Sequence, residues 1–158
     1  MARRAPSGEV RIVRILLDTN VILDVLLDRT PWVHDASAIW QRCDDGHAIG
    51  HMAASVLTDI YYIARRLTDR TKAVQALRLC LQTFTIGPID RLVAETALRY
   101  SGLDFEDNIL MACISLYQLD AIITRNPTDF ESSSVPIYSP SDWLTHSPIS
   151  SPDEPRSR

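Results

Sequence analysis

The stretch Arg14-Ile15-Leu16-Leu17-Asp18-Thr19-Asn20-Val21-Ile22-Leu23 constrains this chain more than any other. Val13, Ile15, Leu16 and Leu17, with Arg14 between them, form a short apolar run that reads as a buried parallel strand. The run ends on a carboxylate, then Thr19-Asn20 and a new apolar pattern of helical type follow. In an open parallel sheet, ligands bind beyond the carboxyl ends of the strands. Asp18 is therefore delivered to the floor of a candidate site. The alternative is that it only caps the helix beginning there, which Asp does well.

The same strand-then-helix alternation recurs along the chain. A short helix is expected over Val21 to Leu27, and Pro31 suits the first turn of a second helix ending near Asp45. His47-Ala48-Ile49, bracketed by Gly46 and Gly50, is a candidate second strand. Helices follow from Ala53 to Arg66 and onward from Thr68-Asp69. A third strand candidate, Thr83 to Ile86, is stopped by Gly87-Pro88. Asp90 and Asp104 are placed to cap two further helices, through Tyr100 and about Tyr117. Ala121 to Thr124 and Val135 to Tyr138 are the last strands, and Ser139-Pro140-Ser141-Asp142 opens a final helix. Alternation of this kind predicts an α/β fold with a parallel sheet covered on both faces. The expected domain spans residues 11–146, between a flexible basic arm (1–10) and a disordered, Ser- and Pro-rich tail (147–158).

Composition narrows the function classes. A chain of 158 residues with 46% hydrophobic and 23% charged residues is that of one ordinary globular domain. A net charge of −4 argues against coating nucleic acid by bulk electrostatics, though not against cutting it with local cations and a metal. Lys72 is the only lysine; the remaining cations are arginines, which suit bidentate phosphate contacts. Cys43, Cys80 and Cys113 show no metal-type spacing and point to a reducing compartment. The N-terminus lacks the apolar core of a signal peptide and no run is long enough to span a membrane, so a cytoplasmic protein is expected.

Other acids converge on the edge where Asp18 ends. Asp59 falls on the apolar face of its helix, where a carboxylate needs a cation or the rim of a site. Asp104-Phe105-Glu106-Asp107 puts three carboxylates at a helix start; Asp104 is the natural cap, while Asp107, one turn in, aligns with Leu110, Met111 and Ile114 toward the sheet. Thr124-Arg125-Asn126-Pro127-Thr128-Asp129 again ends a strand in polar residues, although Asn-Pro is also an ordinary turn signal. Asp120 precedes that strand and belongs at the opposite edge. Clustered oxygen ligands select a hard cation such as Mg²⁺ or Mn²⁺. No zinc-type histidine spacing, Ser/His/Asp triad context or Gly-rich phosphate loop is present.

These four groups, in this order, resemble the PIN-domain ribonucleases over about residues 12 to 145. The relevant residues are Leu16 to Asp24, Ser55 to Ile63, Asp104 to Asp107, and Ile123 to Asn126 with Asp129-Phe130. The branch they are most similar to is that of VapC-like toxins of bacterial toxin–antitoxin systems. The resemblance implies a three-layer α/β/α sandwich with a central, mostly parallel sheet of four to five strands. It also implies a Mg²⁺- or Mn²⁺-dependent endoribonuclease. Its acids map onto Asp18, Asp59 and Asp107, with Asn126 at the fourth position. Asp18 and Asp107 would hold the metal, joined by Asp59 directly or through water. Two positions depart from the family pattern: Asp59 stands where Glu is usual, and Asn126 where Asp is often found. Thr19, Asn20, Asp104, Glu106, Thr124 and Asp129 are expected in support. Arg65, Arg66, Arg70 and Arg125 are candidates to steer the RNA backbone. An antitoxin partner and a homodimer through the early helices are implied as well.

Two other readings compete with an active ribonuclease. The departures at Asp59 and Asn126 suit a catalytically weakened PIN fold serving as an RNA- or protein-binding module. A hard-metal phosphatase of aspartyl-phosphate type would want a second Asp two residues after Asp18, where this chain has Asn20.

Overall fold

A computed structural model describes residues 11–102 and 104–147. The basic arm (1–10) and all of the expected tail except Ser147 lie outside the described residues. Five parallel strands form one sheet in the order β3-β2-β1-β4-β5. They are β1 (Val13–Leu17), β2 (Ala48–Ala53), β3 (Thr85–Gly87), β4 (Ala121–Ile123) and β5 (Ile137–Tyr138). The helices are α1 (Thr19–Leu26), α2 (Val33–Asp44), α3 (Ala54–Leu67), α4 (Arg70–Thr83), α5 (Arg91–Ala97), α6 (Phe105–Leu116) and α7 (Pro140–His146), with a 3₁₀ turn over Pro127–Phe130.

Ile15, Leu16 and Leu17 are all buried, so both faces of β1 are covered, as its unbroken apolar run requires. From β1 the chain steps outward to β2 and β3, then crosses back to β4 and β5 on the other side. α1 to α4 pack together and α5 packs against α6; the right-handed rule for parallel crossovers assigns the two groups to opposite faces of the sheet. The reversal occurs between β1 and β4, which pair through Ile15 with Ala121 and Leu17 with Ile123. Such a switch point leaves a crevice at the carboxyl ends of the two strands. α6 runs against the strands and is buried continuously from Asn108 to Ile114, so its acidic first turn is brought to the same edge.

Several boundaries differ from the sequence expectation for tertiary reasons. β2 continues through Gly50 to Ala53 instead of stopping there. A Cβ at Gly50 would sit 2.6 Å from the Phe84 ring and 2.9 Å from Cys43 Sγ, so this glycine serves close packing inside a strand. α2 begins at Val33, leaving Pro31 outside its first turn. α5 ends at Ala97 rather than Tyr100. The caps follow the sequence: Asp69, Asp90, Asp104 and Ser139 accept from the backbone N–H of Lys72, Val93, Glu106 and Asp142. All three cysteines are free and buried. No helix among the described residues is long and apolar enough to cross a membrane.

Candidate active site

A cleft of about 510 Å³ opens at the switch point, and Asp18, Asp59, Glu106, Asp107, Asn126 and Asp129 all line it. Asp18 is anchored at its floor. Its backbone N–H donates to Ile123 O at 3.0 Å, which locks the end of β1 to β4. Its Oδ1 accepts from Thr19 N at 2.7 Å, so it does cap α1. The other oxygen, Oδ2, accepts from Thr124 Oγ1 at 2.8 Å and Asn20 Nδ2 at 3.1 Å. Capping and site-building are thus one arrangement, and Asp18 serves both.

The buried Thr124 relays between strand end and loop, because its Oγ1 also accepts from Asn126 N at 2.9 Å. Asn20 Oδ1 accepts from Arg125 N at 3.3 Å. The supporting residues Thr19, Asn20 and Thr124 are therefore gathered around Asp18. Asp59 comes from α3, where Val56, Ile60 and Ala64 pack inward and leave Asp59 at the cleft edge. Among the described residues it makes no ion pair, so the arginine partner that a buried Asp59 would need is not used.

The electrostatics show an excess of negative charge. Burial and the neighbouring charges of Asp104, Asp129 and Asp18 push Asp107 up to about 6. Burial, a hydrogen bond with Asp59 and the charges of Asp59, Asp104 and Asp107 push Glu106 up to about 7. Asp18 is also raised, by burial, against the lowering effect of its Thr124 and Thr19 hydrogen bonds. Carboxyl groups raised by one another are the expected signature of a site that a cation would relieve. The donor set is oxygen only, which fits a hard divalent ion. Among the described residues no three Asp, Glu, His or Cys side chains stand close enough to grip a metal unaided. A hard ion such as Mg²⁺ keeps several of its waters and needs only one or two carboxylates from the protein.

Glu106 gains in importance over its expected supporting place. It reaches Asp59, whose side chain is one methylene shorter than the family's usual Glu. The cleft also contains residues that sequence reasoning passed over, notably Arg29 and Tyr62. Arg29 lies 3.9 Å from Asp24, which is wholly buried and paired bidentately with Arg125, Nε to Oδ2 at 2.7 Å and Nη2 to Oδ1 at 3.1 Å. The signal was present: an Asp embedded in the apolar pattern of α1 demands a cation. Arg125, expected to steer RNA, is paired with Asp24 and stacked on Trp32, its Cζ 4.1 Å from the ring centroid. Arg65, Arg66 and Arg70 are exposed and do not line the cleft. Asp104 caps α6 and lines an adjoining hollow shared with Asp107 and Asp129. Asp120 accepts from Arg14 N and pairs with Arg11 at the opposite end of the sheet.

Comparison with known proteins agrees with this architecture. A sequence model of the PIN domain matches residues 14–128. A toxin–antitoxin complex from Klebsiella pneumoniae is similar at 25% identity and a TM-score of 0.60, over 80% of this chain and 97% of that one. A DNA-bound VapBC from Salmonella typhimurium shares the fold at 12% identity and a TM-score of 0.63, over 82% of this chain and 99% of that one. VapC20 from Mycobacterium tuberculosis, described as a Sarcin-Ricin loop cleaving toxin, shares it at 15% identity and a TM-score of 0.57, over 68% and 86%. No curated protein sequence matches the chain. With the match covering most of the domain and the acids at the switch point, this chain belongs to the PIN-domain family.

Proposed function

We propose that the chain is a metal-dependent endoribonuclease and the toxin of a toxin–antitoxin pair, acting in the cytoplasm. The observation that carries this reading is the convergence of Asp18, Asp59, Glu106 and Asp107 on one cleft, where burial and neighbouring acids raise the carboxyls of Asp18, Glu106 and Asp107. Asp18 and Asp107 would hold Mg²⁺ or Mn²⁺, with Asp59 and Glu106 reaching it directly or through water. When bound, such an ion activates water and offsets charge on a phosphate under in-line attack.

The chain's own residues supply position and charge. Thr19, Asn20 and Thr124 hold the Asp18 carboxylate in one orientation, so little reorganisation is needed when a ligand arrives. Arg29 is the cation that lines the cleft among its described residues, and it meets the phosphate backbone there. Asn126 presents an uncharged amide at the rim, which lessens the repulsion an RNA phosphate meets. The likeness to the Klebsiella toxin–antitoxin complex supports a protein antitoxin as partner. A second copy of the chain, docked through the early helices, completes the proposed assembly.

The test is incubation of the folded protein with a mixed RNA pool in Mg²⁺ or Mn²⁺, with and without chelator. Cutting that chelator stops, and that Asp18→Asn abolishes without loss of fold, is the expected result. Equal cutting by wild type and Asp18→Asn would overturn the assignment.

A further inference from the structure

Beside the acidic cleft lies a second hollow, about 290 Å³, lined by Trp32, Asp35, Arg125, Ser139, Pro140 and Ser141. We propose that it is a nucleobase subsite, in which a base of the RNA strand running from the cleft stacks against the Trp32–Arg125 pair. The proposal rests on the ribonuclease reading and names how that site grips its substrate.

Three observations carry it. Trp32 keeps 45% of its surface exposed although a guanidinium already covers part of the ring. An indole of that exposure is a large apolar plane left facing water, and single-stranded nucleic acid is bound by stacking on such planes. Second, the plane is rigidly backed. Arg125 is clamped through two hydrogen bonds to Asp24, which is wholly buried, so the guanidinium is held in one orientation against the ring. Third, the shelf is tied to the cleft through bonded neighbours. Arg125 N donates to Asn20 and Asp24 lies against Arg29, and both Asn20 and Arg29 line the acidic site.

Charge decides which part of the RNA the shelf takes. Asp24 neutralises Arg125, and Asp35 adds a carboxylate with no hydrogen bond or ion pair among the described residues. A phosphate is therefore repelled, whereas a base brings a neutral plane and N–H groups that Asp35 can accept.

The test measures binding of a mixed-sequence single-stranded RNA, and of an abasic backbone of equal length, to the full chain in chelator. Trp32→Ala is expected to weaken RNA binding by about 5- to 100-fold and to leave the abasic backbone unaffected. Trp32→Phe, which keeps an aromatic plane, restores most of the loss, and unchanged circular dichroism and melting show that the fold is kept. Wild-type affinity in Trp32→Ala, or equal weakening on both ligands, would overturn the subsite while leaving the ribonuclease reading standing. A wild-type chain that neither binds nor cuts RNA would overturn both.

Discussion

Two carboxylate regions, one at each end of α1, solve the same problem in opposite ways. Asp24 is fully buried yet closed within the protein: Arg125 meets both of its oxygens and Arg29 stands 3.9 Å away. Asp18 and the acids near it are less buried, yet most of their charged neighbours are other acids, and the carboxyls of Asp18, Glu106 and Asp107 are raised. Burial alone therefore does not mark a functional site. What marks it is charge that the fold gathers and does not itself balance, because that balance must then come from outside.

Breaking the closed region should have the largest effect on stability. Asp24→Ala leaves Arg125 partly buried without its partner and is expected to cost about 3–5 kcal/mol, read by urea denaturation. A loss below about 1 kcal/mol, the scale of an exposed pair, would erase the contrast. The open region should respond with the opposite sign. The raised Glu106 carboxyl means that the native state holds an extra proton between about pH 4.5 and 7, and its ionisation costs stability as pH rises through that window. Glu106→Gln removes the cost, so without metal it should melt above wild type at pH 8, the difference closing by about pH 5. Added Mg²⁺ should narrow the difference at pH 8 by stabilising the wild type. A variant that melts below wild type at pH 8 would show that Glu106 is already balanced.

Much of this was legible in sequence where the cause is local. The apolar run of β1, its terminal Asp18, and the capping residues Asp69, Asp90, Asp104 and Ser139 need only neighbours within a turn to act. The gathering of Asp18, Asp59, Asp107 and Asn126 was also readable, because strand ends and helix starts share one edge of a parallel sheet. What was hidden depends on distant partners. Gly50 reads as a strand breaker until Phe84 is packed over it. An ion pair for Arg125 is readable, but that its partner is Asp24, far off in sequence, shows only in the fold. Arg29 follows α1 in a polar turn and gives no sign of facing the acids until the fold is closed.

The account's central claim is that the acidic cleft is left unbalanced for a divalent ion. The most direct measurement is an equilibrium titration of Mn²⁺ into the full chain, followed by its paramagnetic resonance, for wild type and Asp107→Asn. The account predicts at least one ion bound per wild-type chain, and an affinity about tenfold or more lower in the variant. No bound Mn²⁺ in the wild type, or equal affinity in both chains, would contradict it.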